Sequence, residues 1–249
     1  MTMKTALVTG AAAGIGKACA KRLAKDGIAV GVLDLDLAAC ESVVAEIEAD
    51  GGKAMALRAS ICDREQVSEA VQELRDKFGA VTIVVNNAGI SNFIPFEELT
   101  DNDWEKMFEV NTKGTFVVTQ VVLPDMKAAH WGRVVNISSS SAQTGSVEQV
   151  HYSASKGAVV AMTRSLAQAL GPYGVTVNNI PPGAVMNTIM SEANKDRFRM
   201  SMEQLTRMIP VGRTGEPEDI ANACAWLVSE DTGYVTGQTI GVNGGRVVS

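Results

Sequence analysis

The stretch "LVTGAAAGIGKA" (residues 7–18) sets Gly10, Gly14 and Gly16 between a short apolar run and a segment with helical periodicity. Glycines in this position permit a tight turn and let the backbone approach a pyrophosphate, whose charge is favoured by the N–H groups and dipole of a helix N-terminus. The spacing is G-x-x-x-G-x-G rather than the commoner G-x-G-x-x-G. The strand pattern before it and the helix pattern after it nevertheless predict a dinucleotide-binding turn, which includes Ile15.

Outward from this turn, short β-branched runs alternate with longer helix-patterned segments along the chain. The predicted strands are Thr5–Thr9, Ala29–Leu33, Ala54–Ala59, Thr82–Asn86, Arg133–Ile137, Val175–Asn179 and Thr239–Val242. The predicted helices are Ile15–Lys25, Ala38–Ala49, Arg64–Phe78, Trp104–Ala128, Tyr152–Leu170 and Pro217–Val228. Such alternation implies right-handed crossovers. The sequence therefore predicts one α/β domain over residues 1–249, with a Rossmann-type doubly wound parallel sheet flanked by helices on both faces.

Composition and charge restrict the partners that this chain can have. The 249 residues carry a formal net charge of -6 with a pI near 5.1, which opposes binding to nucleic acid and to anionic membranes. The N-terminus lacks a signal-peptide pattern and no run of about 18 apolar residues occurs, so we expect no membrane association and a cytoplasmic location. The 4 cysteines are far apart and there are only 2 histidines, which argues against disulfides and against a metal site.

The second predicted strand ends in "VLDLD" (residues 32–36), which places Asp34 18 residues after Gly16. That spacing is close to the one at which a carboxylate reaches the adenosine ribose hydroxyls. A carboxylate there would repel a 2′-phosphate, and neither Leu35 nor Ala13 supplies the cation that such a phosphate needs. We therefore expect NAD rather than NADP. The alternative is that Asp34 only begins the next turn.

Six short segments together resemble the short-chain dehydrogenase/reductase family, in its branch of about this length. They are "TGAAAGIG" (9–16), "NNAG" (86–89), "VNTKG" (110–114), "NISSSS" (136–141), "YSASK" (152–156) and "PPG" (181–183). The resemblance extends from Thr5 to Gly245, in order and in spacing. It implies an enzyme that transfers hydride between a nicotinamide cofactor and a carbon bearing oxygen.

The pair Tyr152 and Lys156 lies one helical turn apart. A free phenol has a pKa of about 10, too high for efficient proton exchange near neutral pH. Residues at i and i+4 share a helix face, so the Lys156 ammonium can favour the Tyr152 phenolate, helped by the positive nicotinamide ring. The resemblance makes Tyr152 the general acid and base and lets Lys156 bind the nicotinamide ribose, so both are expected to contact the cofactor. A solvated helix face is the alternative interpretation.

Ser139 and Asn111 complete the catalytic set that the resemblance implies. The family's catalytic serine stands 13 residues before the tyrosine, which selects Ser139; its hydroxyl would bind the substrate oxygen. Ser138 is the neighbour with which it could be confused, and the serine run could also be only a polar exit from the strand. The family's asparagine interrupts a helix, and its carbonyl binds a water linked to the lysine; a surface position is the alternative for Asn111.

The resemblance assigns further cofactor contacts to loops that follow predicted strands. They are Asn87, Ala88 and Gly89 on the adenosine side, and Pro182, Gly183 and Val185 beside the nicotinamide. Two positions depart from the family. Its threonine four residues after that glycine is replaced by Asn187, with Thr188 next, so the partner of the carboxamide is left open between the two. Its adenine-facing aspartate is replaced by Ser60.

The substrate is less well specified. The segment 186–212 is rich in methionine and is expected to be a lid over an apolar ligand, or else the core of a helix pair. Nearness to the motifs adds candidates for the pocket wall: Phe93, Ile94, Ser141, Gln143, Val147 and Gln149. We expect oxidation of a secondary alcohol, cyclic, aryl-substituted or steroid-like, and reduction of its ketone.

Three alternatives remain open. The first is an NADPH-dependent reductase of 3-oxoacyl thioesters on an acidic carrier protein, which His130 and Tyr173 disfavour because arginines usually stand there. The second is an epimerase of the extended branch, with which the glycine spacing disagrees. The third is a non-catalytic dinucleotide-binding regulator. The resemblance also implies a homotetramer joined through the helices after the fourth and fifth strands and through the C-terminal strand.

Overall fold

The computed structural model describes residues 3–188, 191–192 and 201–248. Six strands in this part of the chain form one parallel sheet in the order β3-β2-β1-β4-β5-β6. They are β1 (Thr5–Thr9), β2 (Ala29–Asp34), β3 (Ala54–Arg58), β4 (Val81–Asn86), β5 (Gly132–Ile137) and β6 (Val175–Ile180). The inner strands β1, β4 and β5 are buried at every residue, as expected where both faces of a sheet are covered.

Helices cover the two faces of this sheet. They are α1 (Gly14–Lys25), α2 (Leu37–Ala49), α3 (Arg64–Phe78), α4 (Asp101–Phe108), α5 (Thr115–Ala129), α6 (Ser141–Thr144), α7 (Val150–Leu170), α8 (Met202–Arg207) and α9 (Pro217–Val228). One hydrophobic core lies under α1, α2 and α9, and a second lies under α3, α5 and α7. The predicted doubly wound α/β fold is confirmed. Within the described residues, no helix combines the length and apolarity needed to cross a bilayer.

The predicted helix Trp104–Ala128 is interrupted at Asn111, as the family resemblance implies, and it begins earlier than predicted. Helix α4 begins at Asp101, because a capping box between Thr100 and Asp103 fixes its first turn. A π-helical turn, Glu109–Gly114, then separates α4 from α5. Such a turn carries one residue more than the helical repeat, which apolar periodicity does not reveal, and π-bulges are frequent at functional sites.

The predicted seventh strand Thr239–Val242 is wrong as a regular strand. The segment runs parallel to β6 and makes two isolated bridges, one between Thr239 and Asn179 in that strand and one between Val242 and Pro182 just beyond it. Its backbone still bonds to this edge, with Ile240 N donating to Asn179 O over 2.8 Å. Gly241 lies within it, and glycine in a strand weakens a regular ladder.

The sheet order reverses between β1 and β4, which are neighbours although far apart in sequence. In open α/β sheets, ligands bind at the carboxyl ends of the strands beside such a reversal. The loops that leave β1, β2, β4, β5 and β6 all start at this edge. It is therefore the place where the candidate residues should meet.

Candidate active site

The glycine-rich turn fits a dinucleotide. Gly10 and Gly14 have φ values of 63° and 53°, which favour glycine. A Cβ on Gly16 would lie only 2.1 Å from Gly10 O, so that position has no room for a side chain. Helix α1 begins at Gly14, and its N-cap residue Ala13 makes no side-chain cap. Its first N–H groups are therefore not capped by a side chain there and are suited to a pyrophosphate.

Asp34, the last residue of β2, faces this turn. Its Oδ1 accepts a hydrogen bond from Leu35 N at 2.7 Å, and its Oδ2 accepts one from Ala12 N at 3.2 Å. The cap of α2 is a different carboxylate, Asp36, which accepts from Ala39 N at 3.1 Å. Asp34 is therefore held against the glycine-rich turn and does not cap the next helix.

The segment after β4 is hydrogen-bonded to the glycine-rich turn and to the end of β1. The side chain of Asn87 donates to Thr9 O and Gly10 O, each over 3.0 Å. In return, Thr9 Oγ1 accepts from Asn87 N and Ala88 N, each at 3.1 Å. These bonds give Asn87 and Ala88 a structural role beside the predicted cofactor contacts. Ser60, at the third loop, accepts from Cys62 N and so makes a local turn.

Lys156 is buried between α7 and the end of β5. Its Nζ donates to Ile137 O over 2.9 Å. A Cβ on Gly89 would lie 3.2 Å from that Nζ and 2.9 Å from Asn111 Oδ1, so a side chain there would crowd both groups. Burial lowers the pKa of Lys156 to about 8, because desolvation disfavours the charged ammonium.

Tyr152 lies on the same helix and is also buried, with 7% of its surface exposed. Burial raises the pKa of its phenol, and a side-chain hydrogen bond with Ser139 opposes that rise. The expectation that Lys156 lowers this pKa is not met by the protein groups alone. Desolvation outweighs the other influences on the phenol, and the ammonium of Lys156 donates to a backbone carbonyl.

Ser138 and Ser139 have different surroundings. Ser138 extends the pairing of β5 with β6 through its N–H, and its buried hydroxyl has no hydrogen-bond partner among the described residues. Ser139 Oγ lies beside the Tyr152 phenol and accepts bonds from Ser141 N at 3.2 Å and from Ser141 Oγ at 2.8 Å. Of the two serines, the one facing the phenol is Ser139.

Asn111 occupies the π-helical turn and is fully buried, so the surface alternative is wrong. Its Oδ1 accepts from Ile90 N at 2.8 Å, and its Nδ2 donates to Ile90 O and Ser155 Oγ, each over 3.0 Å. Its backbone carbonyl accepts from the Thr115 hydroxyl at 2.9 Å. The side chain thus joins the segment after β4 to α7 next to Lys156.

The loop after β6 brings Thr188 into close approach with Gly14 of the glycine-rich turn, and Asn187 lines a groove beside the same glycine. A Cβ on Gly14 would lie 3.3 Å from Thr188 Cβ, whereas Asn187 is exposed and has a left-handed backbone with φ of 58°. Upstream, Gly183 N donates to Val242 O over 3.0 Å, and Pro182 and Val185 make isolated bridges to Val242 and Gly215.

Much of the expected lid at 186–212 lies outside the described residues, including Met190, Phe198 and Met200. Of its described part, α8 buries Leu205 while leaving Met202 and Met208 half exposed.

One feature near the site was not predicted. His151, beside Tyr152, is fully buried, and its Nε2 lies 2.5 Å from Asn92 Oδ1. Gln149 Nε2 donates to Ser91 Oγ over 2.6 Å, so two adjacent contacts join residues 91–92 to the start of α7. Burial lowers the pKa of His151, which favours the neutral ring. Neither segment has periodicity or a recognisable motif there, so the sequence offered no signal for this contact.

Comparison with known proteins identifies the family. The family model described as enoyl-(acyl carrier protein) reductase matches residues 10–246. The chain belongs to the short-chain dehydrogenase/reductase family. This short-chain dehydrogenase/reductase is 38% identical over 245 residues to a 3-oxoacyl-[acyl-carrier-protein] reductase of Thermotoga maritima, and the match covers 98% of each chain.

Two further proteins are similar over almost the whole chain. A (2S)-[(R)-hydroxy(phenyl)methyl]succinyl-CoA dehydrogenase subunit of Thauera aromatica is 40% identical over 244 residues, which cover 98% of this chain and 96% of the relative. The solved structure of a variant of actinorhodin polyketide ketoreductase with NADPH has a TM-score of 0.92 and 33% identity, covering 98% of this chain and 97% of that one. The protein is thus an oxidoreductase of the class that interconverts a carbinol and a carbonyl group.

Proposed function

We propose that this protein interconverts a 3-oxoacyl thioester and the corresponding 3-hydroxyacyl thioester with a nicotinamide dinucleotide. The observation that carries the reaction class is the buried Tyr152 phenol, which lies one helical turn from Lys156 and whose pKa rise is opposed by Ser139. The thioester is supported by similar proteins whose names specify acyl groups on an acyl carrier protein or on CoA.

A free secondary alcohol, which we expected from the sequence, is supported less well than the thioester alternative. That expectation used the absence of arginine at His130 and Tyr173 as an argument against acidic carrier proteins. Lys127 nevertheless places its Nζ 4.3 Å from the centre of the Tyr173 ring, so a cation is present on this surface. The two positions therefore do not argue against a thioester substrate.

The chain's own residues would handle the substrate oxygen and its proton. Ser139 would donate a hydrogen bond to the carbonyl oxygen, where negative charge develops. Tyr152 would donate its phenolic proton to that oxygen in reduction and take it back in oxidation. Lys156 and Asn111 converge at Gly89. Lys156 would bind the ribose of the cofactor, and Asn111 would form part of the proton path that leads from Lys156. When bound at the glycine-rich turn, the nicotinamide dinucleotide supplies or accepts the hydride.

We propose NAD(H) as the preferred cofactor. The Asp34 carboxylate, fixed by Leu35 N and Ala12 N at the end of β2, supports it because a second negative charge would be repelled there. The similar polyketide ketoreductase is known with NADPH, so family membership alone does not decide the cofactor. The local charge at Asp34 is the reason for our choice.

The test is a comparison of substrates with the purified protein and NADH. We expect acetoacetyl-CoA, the shortest 3-oxoacyl-CoA that is a ketone, to be reduced with a kcat/KM at least about tenfold above that of cyclohexanone, a difference of roughly 1.4 kcal/mol in transition-state binding. Acetoacetyl-acyl carrier protein, run in parallel, reports whether the carrier matters. Crotonyl-CoA tests enoyl reduction. Faster turnover of cyclohexanone or of crotonyl-CoA would contradict the proposal.

We also infer that the protein assembles with copies of itself through α4 and α5. Trp104 and Phe116 are 38% and 44% exposed there, and the Trp104 ring stacks on Phe108 at 5.0 Å. Together with Met162 on α7, these side chains line one groove. An exposed aromatic cluster of this kind is typical of a protein interface, and the family resemblance implies a homotetramer.

A further inference from the structure

Ser141 holds the hydroxyl of Ser139 by two hydrogen bonds. The backbone N–H of Ser141 donates to Ser139 Oγ over 3.2 Å, and the Ser141 hydroxyl donates to the same oxygen over 2.8 Å. Both residues lie where the chain leaves β5 and begins α6. They are half-buried, so these bonds form in the wall of the site and not on an open surface.

The two donors of Ser141 determine the direction in which Ser139 can donate its own hydroxyl proton. A serine hydroxyl has one proton and two acceptor lone pairs. If Ser141 occupies both lone pairs, the single proton of Ser139 is left to point elsewhere. The Tyr152 phenol is another neighbour of Ser139, and a substrate oxygen would lie between these two hydroxyls in the proposed reaction.

We propose that Ser141 is a positioning residue, whose hydroxyl orients Ser139 and strengthens the hydrogen bond that Ser139 donates to the substrate oxygen. This inference rests on the proposed function. A hydroxyl that accepts a hydrogen bond becomes a better donor, by about 10–30% per bond in a chain of such bonds. The effect should be largest in the transition state, where the substrate oxygen gains negative charge.

The backbone bond alone does not supply this effect in full. The backbone N–H of Ser141 remains when its side chain is replaced. This N–H occupies one lone pair of Ser139 Oγ and holds the turn, but it leaves the other lone pair of that oxygen without a donor. The Ser141 hydroxyl is the shorter contact, at 2.8 Å. Replacing Ser141 by alanine therefore removes one donor and leaves the local fold intact.

The experiment compares Ser141→Ala, Ser141→Thr and Ser140→Ala with the wild type. Ser140 is the matched control, because it is the neighbouring serine and its side chain makes no cap on α6. With acetoacetyl-CoA and NADH, we expect Ser141→Ala to lower kcat about fivefold with KM changed less than about twofold, since the lost interaction is made mainly in the transition state. Ser141→Thr, which keeps a hydroxyl, should recover most of kcat.

The pH dependence separates positioning from a merely structural role. Ser139 opposes the rise in the pKa of Tyr152, so weakening its donor should move the acidic limb of 3-hydroxybutyryl-CoA oxidation to higher pH in Ser141→Ala but not in Ser140→Ala. An unmoved limb, an unchanged kcat, or an equal loss in Ser140→Ala would overturn the inference.

A second measurement is independent of turnover. The absorbance titration of the Tyr152 phenol, taken as the difference from Tyr152→Phe, should shift upward in Ser141→Ala. If the wild type reduces no acyl thioester, the proposed function fails, and this titration still decides the role of Ser141. If the wild type is active and neither kcat nor the titration changes in Ser141→Ala, only the present inference fails.

Discussion

Tyr152 and Lys156 lose their protons in an order that their sequence spacing does not suggest. The pKa of Lys156 is about 8, and that of Tyr152 is raised above its ordinary value. In the protein alone, the lysine is therefore the first of the two to become neutral. Burial thus disfavours the charged form of both groups, so we expect the positive charge of the oxidised cofactor to help form the phenolate.

The depressed pKa of Lys156 predicts a pH-dependent stability. Because the folded state disfavours the ammonium, the unfolded chain binds more protons between pH 8 and 10.5, and stability rises with pH across this window. Relative to Lys156→Met, the free energy of unfolding of the wild type should increase by on the order of 2 kcal/mol between pH 7 and pH 10.

Urea denaturation of both proteins at the two pH values measures this difference. Well below pH 8 Lys156 is fully protonated, so the buried ammonium lowers the stability of the folded state by its full amount. The stability difference between the wild type and Lys156→Met should therefore not change between pH 6 and pH 7. A difference that stays constant from pH 7 to pH 10, or one that falls, would contradict the burial of a cation at this position.

Asp34 predicts the cofactor preference. Replacing it by asparagine removes the charge while leaving an oxygen that can still accept from Ala12 N. We expect the ratio of kcat/KM with NADPH to that with NADH to rise by about tenfold or more, because the repulsion of a 2′-phosphate is relieved. Asp36→Asn is the control, since Asp36 caps α2 instead. A wild type that already uses both cofactors equally well would refute the argument.

The sequence indicated which residues meet at the site but not how their environments act on them. Family spacing selected Ser139 over Ser138, and the two do differ in surroundings. In the protein without cofactor, the pKa of Tyr152 is raised rather than lowered, because the burial of its phenol depends on what α7 packs against. That packing is a property of the tertiary structure and leaves no mark in a pair of residues four positions apart.

At the scale of elements, the alternation of apolar runs was enough to predict the parallel sheet. Each predicted strand was a short apolar run, and the segments before and after it had helical periodicity. This alternation predicted the doubly wound fold. The two failures have local causes. The π-helical turn Glu109–Gly114 interrupts a segment whose apolar residues continue on both sides of it, and the segment Thr239–Val242 contains Gly241, which weakens a regular ladder.

The contact between His151 and Asn92 predicts a stabilising link between two elements. His151→Ala leaves a cavity at the start of α7 and removes the bond to the loop after β4. We expect the free energy of unfolding to fall by about 2 kcal/mol, and His151→Gln, which can place a donor near the position of Nε2, to lose less.

Urea denaturation at pH 7 is the measurement, with Val147→Ala as the neighbouring control because the side chain of Val147 is exposed. If His151→Ala is as stable as the wild type within about 0.5 kcal/mol, this contact does not stabilise the loop.

For the whole molecule, the exposed aromatic face of α4 and α5 predicts self-association. Introducing a charge at Phe116 puts a carboxylate into the groove beside Trp104, where it would be desolvated on assembly. Sedimentation should therefore detect a smaller species for Phe116→Glu than for the wild type. Phe96→Glu is the control, since Phe96 is more exposed and lies outside that groove. A monomeric wild type, or equal sizes for Phe116→Glu and wild type, would contradict the inferred assembly.

The net charge of the whole molecule limits its partners. The net charge of -6 predicts no attraction to nucleic acid or to anionic membranes. The cytoplasmic location stays a prediction. Fold and family could be predicted because they depend on patterns spread over the whole chain, whereas the substrate depends on a few side chains in the cleft.

The central claim is that Tyr152 exchanges a proton with the oxygen of a 3-oxoacyl thioester, and the most direct test is the single-turnover rate of acetoacetyl-CoA reduction by Tyr152→Phe in the presence of saturating NADH. We expect this rate to fall by about 10²–10⁴-fold, the usual contribution of a positioned acid. Binding of NADH, followed by its fluorescence, should stay within a few-fold of the wild type. A Tyr152→Phe variant that folds, binds NADH and reduces acetoacetyl-CoA at the wild-type rate would contradict the account.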